Sequence, residues 1–184
     1  MADGYGKMHS KIISSLGLAL ALASCKPGGG APKSPNYVLK AAGADNVKAL
    51  LRLEIADTDN RRRIGLSRRK DLPADAGMLF IFDRPGHYTM WMKDTFIPLD
   101  IIFLNDDMVI TYIAADRQPM NETLITPCSA EYEKAWDRGK AFLSSSLCSE
   151  EFSKSDKLTR YVLELGAGSA AKYGVRVGDS LAPK

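Results

Sequence analysis

The densest group of chemically capable side chains lies between residues 90 and 101. Trp91, Lys93, Thr95 and Asp100 bring together an indole, an amine, a hydroxyl and a carboxylate beside apolar residues that are typical of strands. Apolar walls around a lysine and an aspartate shift the pKa values of both groups and concentrate charge, as in binding sites. We therefore predict a ligand site in which Lys93 receives a carboxylate or phosphate, Trp91 supplies an apolar or stacking face and Asp100 orients Lys93.

The same residues also permit a purely structural interpretation. Lys93 would then pair with Asp94 or Asp100 at a strand end, Thr95 would close a turn and Trp91 would fill the core. A concave pocket on which Lys93 and Asp100 converge would favour binding, whereas a buried pair with no neighbouring cavity would favour the structural role.

Histidine is too scarce for many catalytic and metal sites. The chain contains only His9 and His87, so a zinc or copper site built on several imidazoles is excluded. A Ser/His/Asp triad would have to use His87, which follows Pro85 and Gly86 in a turn more typical of surface loops. The sequence also has no glycine-rich phosphate loop after a strand and no Cys-x-x-Cys pair. We predict no metal, no cofactor and no catalytic residue.

Paired carboxylates leave one enzymatic alternative. Asp94 with Asp100, or Asp100 with Glu164, would serve a carbohydrate hydrolase if folding placed the two groups about 5 to 10 Å apart across a cleft. The sequence does not show that separation, so this hypothesis requires the structure.

A cluster of basic side chains lies upstream of the predicted site. In an envelope compartment its partners would be anionic lipid headgroups or polyanionic polymers, while the alternative is a solvated helix face that neighbouring aspartates balance. The whole chain has 25 basic and 22 acidic side chains, a net charge of +3 that is too small to indicate a nucleic-acid binder. The cluster consists of Arg61, Arg62, Arg63, Arg68, Arg69 and Lys70.

The first 24 residues have the architecture of an export signal. Lys7 and Lys11 precede an uncharged apolar run over residues 12–23, which is shorter than the roughly 20 residues that a permanent membrane helix needs. The ending Leu22-Ala23-Ser24-Cys25 resembles the lipobox of bacterial lipoproteins, in which the cysteine is lipidated and becomes the new N-terminus. We predict a lipid anchor on Cys25, and Lys26 in place of aspartate favours the outer membrane, facing the periplasm, if the host is Gram-negative.

Two cysteines remain after the predicted anchor. Leftover thiols in an oxidising compartment tend to pair, which makes a disulfide between Cys128 and Cys148 a candidate. Bridged alpha-carbons lie within about 7 Å, so the chain between the two cysteines would have to double back. Two unpaired buried thiols are the alternative.

The elements that would position the predicted site are mostly short strands. Residues 48–56 alternate apolar and polar side chains, which indicates a half-buried strand, and Asp57, Thr58 and Asp59 are suited to cap a short helix over residues 61–66. A turn is predicted at residues 105–107, a helical insertion within residues 129–159 and a one-turn helix over residues 169–173. Further strands are predicted at residues 78–82, 88–92, 99–104, 108–113, 161–165 and 175–177.

Several sequence blocks resemble one family. Gly77-Met78-Leu79-Phe80-Ile81-Phe82, the run from Trp91 to Phe103, and Tyr161-Val162-Leu163-Glu164-Leu165 are similar in order and spacing to the domain of unknown function catalogued as family 192, also called uncharacterised protein family 0127. The resemblance spans about residues 50 to 181. It implies a compact, mostly antiparallel β sandwich of jelly-roll type, and it implies no established activity. Asp94 stands where asparagine is commoner in the family.

These observations predict three segments and one function. Residues 1–24 are the signal peptide, residues 25–36 are the lipidated cysteine with a flexible Gly- and Pro-rich tether, and residues 37–184 form one β-rich domain with the helical insertion. The fold class is an antiparallel β sandwich or barrel with short helices. The predicted function is an envelope lipoprotein that binds a small molecule, a polymer or a protein without catalysis, and no nucleic acid. The two alternatives to this function are a carbohydrate hydrolase that uses paired carboxylates and a purely structural envelope protein.

Overall fold

Alternating and continuous apolar runs fold into strands over most of the described chain. The computed structural model describes residues 35–43, 46–120 and 152–184, all within one compact unit that spans Lys33–Lys184. The signal peptide, Cys25, most of the tether, Cys128, Cys148 and the larger part of the predicted helical insertion lie outside the described residues. The anchor, the disulfide and the insertion therefore stay predictions.

Nine strands and two short helices make up the secondary structure of the described residues. The strands are β1 (Asn36–Lys40), β2 (Val47–Ala56), β3 (Ala76–Gly86), β4 (Thr89–Trp91), β5 (Leu99–Leu104), β6 (Ile110–Arg117), β7 (Phe152–Lys154), β8 (Thr159–Gly166) and β9 (Ser180–Pro183). The helices are α1 (Asp59–Ile64) and α2 (Ser169–Lys172). Neither helix has the length and apolar character that crossing a membrane would require.

Seven of the strands form one curled sheet. Its order is β6-β5-β8-β3-β2-β1-β9, and β4 pairs with β7 in a second, two-stranded sheet. The curl gives the large sheet the form of a half-barrel, which confirms the predicted mostly-β fold of barrel or sandwich type with short helices. All pairs are antiparallel except β2 with β3, because α1 and the residues after it carry the chain back before β3 begins.

The two faces of the large sheet pack against separate apolar clusters. On β5, Leu99, Ile101 and Phe103 belong to the first cluster, whereas Ile102 and Leu104 belong to the second. Successive residues of a strand point to opposite faces, and a central strand that is covered on both faces has a continuous apolar sequence. The position of a residue along β5 or β8 therefore determines which face of the sheet its side chain lies on.

Most predicted elements are confirmed, with shifted ends. The strand over Leu99–Leu104 and the turn after Asn105 agree with the prediction, and α1 begins at Asp59, where the Thr58 hydroxyl accepts a hydrogen bond from the Arg61 backbone N–H at 3.3 Å. The strand predicted at Val175–Val177 is wrong: these residues lead into a turn, and the last strand is β9.

Candidate functional site

A depression opens on the face of the large sheet that carries the first cluster. It is shallow, and its volume of about 410 Å³ includes the open space at its mouth. Its walls come from α1 and the turn after it, from β3 and from the chain around β4, and β8 contributes one side chain. The lining residues are residues 62–67, Phe80, Phe82, Met90, Trp91, Lys93, Thr95 and Glu164.

Three of the four residues predicted to bind a ligand meet in this depression. The Lys93 ammonium lies 5.1 Å from the centroid of the Trp91 ring, a cation–π distance. Thr95 is buried, and its hydroxyl donates to the Lys93 carbonyl at 3.3 Å, while the Ser67 hydroxyl donates to the same carbonyl at 3.4 Å. These contacts fix the backbone of Lys93, so its amine is presented from a defined position.

Asp100 is not part of this depression. Its carboxyl group accepts hydrogen bonds from the backbone N–H of Asp116 at 2.9 Å and of Ala170 at 2.7 Å. The residue is fully buried on the second face of the sheet, where it holds the first turn of α2. The prediction that Asp100 orients Lys93 is therefore wrong: the one-residue alternation of β5 points its side chain away from Lys93.

Glu164 takes the position in the depression that was expected for Asp100. Its partner across the β5–β8 pair is Ile101, and its partner across the β3–β8 pair is Met78, both of which belong to the first cluster. The side chain is only 4% exposed. The sequence signal is an acidic residue inside the apolar run of β8, and the carboxylate-pair hypothesis is the one that includes it.

Burial controls the protonation of Glu164. No hydrogen bond or ion pair from the described residues reaches its carboxyl group. Desolvation therefore acts without compensation and raises the pKa of Glu164 from 4.5 to about 8. At neutral pH the group is mostly a neutral acid that can donate a hydrogen bond into the depression.

The geometry does not support a carboxylate pair for hydrolysis. Asp100 and Glu164 lie on opposite faces of the sheet, and within the part of the chain that the structure describes Glu164 carries the only carboxyl group that lines the depression. A glycosidase needs two carboxyl groups that face each other across the substrate. The described residues also contain no group of three or more histidine, cysteine or acidic side chains that could hold a metal ion.

Two residues with positive φ angles are neighbours in sequence of lining residues. Arg68 has a φ of 62° and Asp94 a φ of 53°, and the Arg68 backbone N–H donates to the Asp94 carbonyl at 2.6 Å. Aspartate and asparagine tolerate this conformation better than other residues with side chains. The backbone thus accounts for an acidic or amide residue at position 94 without a role in binding.

The basic cluster is largely engaged by neighbouring acidic groups. Arg61 pairs with Asp57 at 2.9 Å and Arg69 pairs with Glu54 at 2.6 Å. The guanidinium of Arg62 is nearly buried and binds the carbonyl of Ile81 at 2.6 Å as well as Asp59. These contacts agree with the balanced helix face and attach α1 to the sheet beside the depression.

One protein family and two solved structures are similar to this chain. The model of the family DUF192, described as "Uncharacterized ACR", matches residues 39–183. A crystal structure from Sinorhizobium meliloti, named as a candidate transcription regulator, is 27% identical with a TM-score of 0.63, and the match covers 84% of this chain and 98% of that one. A protein of unknown function from Novosphingobium aromaticivorans is 26% identical with a TM-score of 0.58, covering 80% and 83%. A search of curated proteins found no match.

Proposed function

Since the chain belongs to the DUF192 family, which carries no established activity, we propose from its own geometry that this β-rich domain is a binding module without catalysis. Its ligand site is the depression lined by Trp91, Lys93 and Thr95. The observation that carries the proposal is the convergence of these three side chains, from one short segment, on a concave surface where polar groups lie beside apolar side chains. A few placed polar groups orient a small molecule in such a site.

The chemistry of the walls favours a small anion with an apolar part. Lys93 and Arg63 place positive charge at the depression, while Phe80, Leu66 and Met90 line it with apolar surface. A carboxylate or phosphate would bind Lys93 by a charge-assisted hydrogen bond, and the body of the ligand would pack on the apolar side chains. Paired-carboxylate hydrolysis needs two facing carboxyl groups, and the described lining residues supply one, that of Glu164.

We further propose that this module is an envelope lipoprotein. The support is the apolar leader and the Leu22-Ala23-Ser24-Cys25 ending, followed by Gly- and Pro-rich residues up to Asn36. A flexible tether of that length has a mean end-to-end distance of about 20 Å, which would keep the depression near the membrane surface and still accessible.

We do not extend the name of the Sinorhizobium meliloti relative to this chain. Nucleic-acid binding needs a continuous basic surface for phosphates. Arg61 and Arg69 are neutralised by Asp57 and Glu54, so the basic cluster lacks that property over much of its extent.

A ligand screen with matched variants tests the binding proposal. The full-length protein is compared with a Trp91→Ala/Lys93→Ala double variant on arrays of small carboxylates, phosphates, glycan fragments and lipids. Lys70→Ala, an exposed residue of the basic cluster that does not line the depression, is the matched control. We expect at least one ligand to be lost from the double variant and kept by the control. Equal retention by all three proteins would rule out the depression as the binding site.

The anchor is tested separately. Labelled palmitate should be incorporated into the wild-type protein, and Cys25→Ser should move the protein from the membrane fraction to the supernatant. Unchanged sedimentation of Cys25→Ser with membranes would contradict lipid anchoring without affecting the binding proposal.

A further inference from the structure

The carboxyl group of Glu164 has no role in the function proposed above. It reaches the depression from the middle of β8 and is 4% exposed, yet no described residue gives it a hydrogen bond or an ion pair. Buried polar groups are nearly always hydrogen-bonded, so an unpartnered one that faces a pocket requires an explanation. A ligand in the depression would supply the missing partner.

Among the described residues that line the depression with Glu164, the charged ones are cations. Arg62 and Arg63 come from α1, and Lys93 comes from the segment after β4. The neighbouring positions on β3 and β5 are the apolar Met78 and Ile101. Arg62 is held by Asp59 and by backbone carbonyls, so it cannot move to neutralise the carboxyl group without losing those bonds. The depression therefore combines positive charge with one neutral acid.

We propose that Glu164 is a ligand-binding residue that donates its carboxyl hydrogen to the oxyanion of a small organic acid, while Lys93 balances the negative charge of the ligand. The inference rests on the proposed function and names the ligand class and pH dependence of that site. An O–H donor to an oxyanion forms a short, charge-assisted hydrogen bond that is about twice as strong as a neutral one. Carboxylates and phosphate monoesters with a compact apolar body share this chemistry.

The number of protons taken up on binding predicts how ligand affinity changes with pH. Where Glu164 is already protonated, binding takes up no proton, because the carboxyl hydrogen is shared with the ligand and remains in the complex. Burial raises the pKa of Glu164 to about 8, so above that pH each ligand that binds must take up one proton from solvent. Affinity should then fall by about tenfold for each further pH unit.

Titration of the full-length protein tests this inference. Benzoate and phenyl phosphate serve as oxyanion probes and benzamide as the uncharged probe, with affinities measured by calorimetry from about pH 6 to about pH 10. For the wild-type protein we expect nearly constant affinity for benzoate below pH 8 and a decline above it, with much weaker binding of benzamide. Glu164→Gln, a neutral side chain that still donates a hydrogen bond, should bind benzoate with little pH dependence. Glu54→Gln, on β2 and outside the depression, should behave like the wild type.

The outcomes separate the inference from the proposed function. If Glu164→Gln loses affinity in parallel with the wild type, or if benzamide binds as well as benzoate, the role of Glu164 is overturned and the depression remains a binding site. If no member of the ligand screen depends on Trp91 and Lys93, both proposals fail. If Glu164→Gln does not fold, infrared difference spectra of the wild-type protein decide: a protonated carboxyl band should disappear across pH 8 and persist with benzoate, and its absence at neutral pH would refute the inference.

Discussion

Asp100 and Glu164 lie on adjoining strands, one register position apart, and their side chains point to opposite faces of the sheet. Asp100 pairs across the strands with Leu165 and Glu164 with Ile101. Asp100 is saturated by two backbone N–H groups, whereas Glu164 faces the depression with no hydrogen-bond partner in the described residues. The Asp100 carboxyl group therefore stabilises the fold, whereas the Glu164 carboxyl group can form a hydrogen bond with a ligand.

Glu164 should make the protein less stable as the pH rises through the neutral range. The Glu164 carboxyl group keeps its proton up to about pH 8 in the folded state but only up to pH 4.5 in the unfolded state. The tighter proton binding of the folded state therefore stabilises the protein fully below pH 4.5, and this stabilisation is lost as the pH rises from 4.5 to 8. The full effect is on the order of 5 kcal/mol. Glu164→Gln should flatten this slope in urea denaturation at several pH values, while Glu54→Gln should leave it unchanged. An equal slope in wild type and Glu164→Gln would show that Glu164 is ionised in the folded protein.

Asp100→Ala should destabilise the protein without changing ligand binding. The change removes the acceptor of two backbone N–H groups, the buried one of Ala170 and the partly buried one of Asp116. Leaving a buried donor unsatisfied costs about 1 to 3 kcal/mol, and water can reach the partly buried one, so we expect a loss of about 2 to 4 kcal/mol in the free energy of unfolding. Asp106→Ala, at an exposed residue with a long 3.7 Å ion pair to Arg160, should lose less than about 1 kcal/mol. A stable Asp100→Ala protein with reduced ligand affinity would contradict the assignment of Asp100 to the fold.

Gly77→Ala tests the close approach of strands behind the depression. A β-carbon at position 77 would meet the Glu164 carbonyl oxygen at 2.5 Å and a methyl group of Leu165 at 2.6 Å. Either β3 or β8 must shift, so we expect a loss of about 1 to 3 kcal/mol in thermal or urea unfolding. Gly166→Ala is the matched control, because a β-carbon there has nothing within 4 Å. Similar stabilities for the two variants would mean that the strands are not packed as closely as described.

Asp179→Asn should make the fold less stable at neutral pH and its stability less dependent on pH in acid. Burial disfavours the charged form of Asp179, but hydrogen bonds from Lys48 at 2.5 Å and from the N–H groups of Arg176 and Ala42 outweigh it, so the pKa of Asp179 is lowered. The stabilisation is present above the ordinary value of 3.8 and is lost as the pH falls through the lowered pKa.

The variant should therefore be less stable at neutral pH and should show a weaker dependence of stability on pH below about 4. Circular dichroism during acid titration measures both effects. A variant with the wild-type acid transition and wild-type neutral stability would contradict the role of the Lys48–Asp179 pair.

Local sequence patterns were sufficient to predict the strands that a few consecutive residues define. The run over Leu99–Leu104 is bounded by Pro98 and by the turn at Asn105, and the structure places the strand at those residues. β1 and β9 were missed because both are short and because their pairing, such as Tyr37 with Pro183, joins opposite ends of the domain. Such pairing depends on tertiary contacts that a local window does not contain.

The site was predictable in part for the same reason. Trp91, Lys93 and Thr95 come from one segment, so their common location followed from the sequence. Asp100 could not be assigned to a face, because all six residues of β5 are buried and the sequence shows no alternation there. Glu164 joins the site through its pairing with Ile101 and Met78, which lie 63 and 86 positions away in the chain.

The protonation of Glu164 in the free and ligand-bound protein is the most direct test of the site described here. Carbon-13 NMR of the labelled Glu164 carboxyl group, followed from acidic to alkaline pH, should show a titration near pH 8 in the free protein. Saturating benzoate should move that titration to higher pH, because the bound oxyanion favours the protonated side chain. A titration near the ordinary value of 4.5, or one that does not respond to any ligand that binds, would contradict a neutral acid at the centre of the pocket.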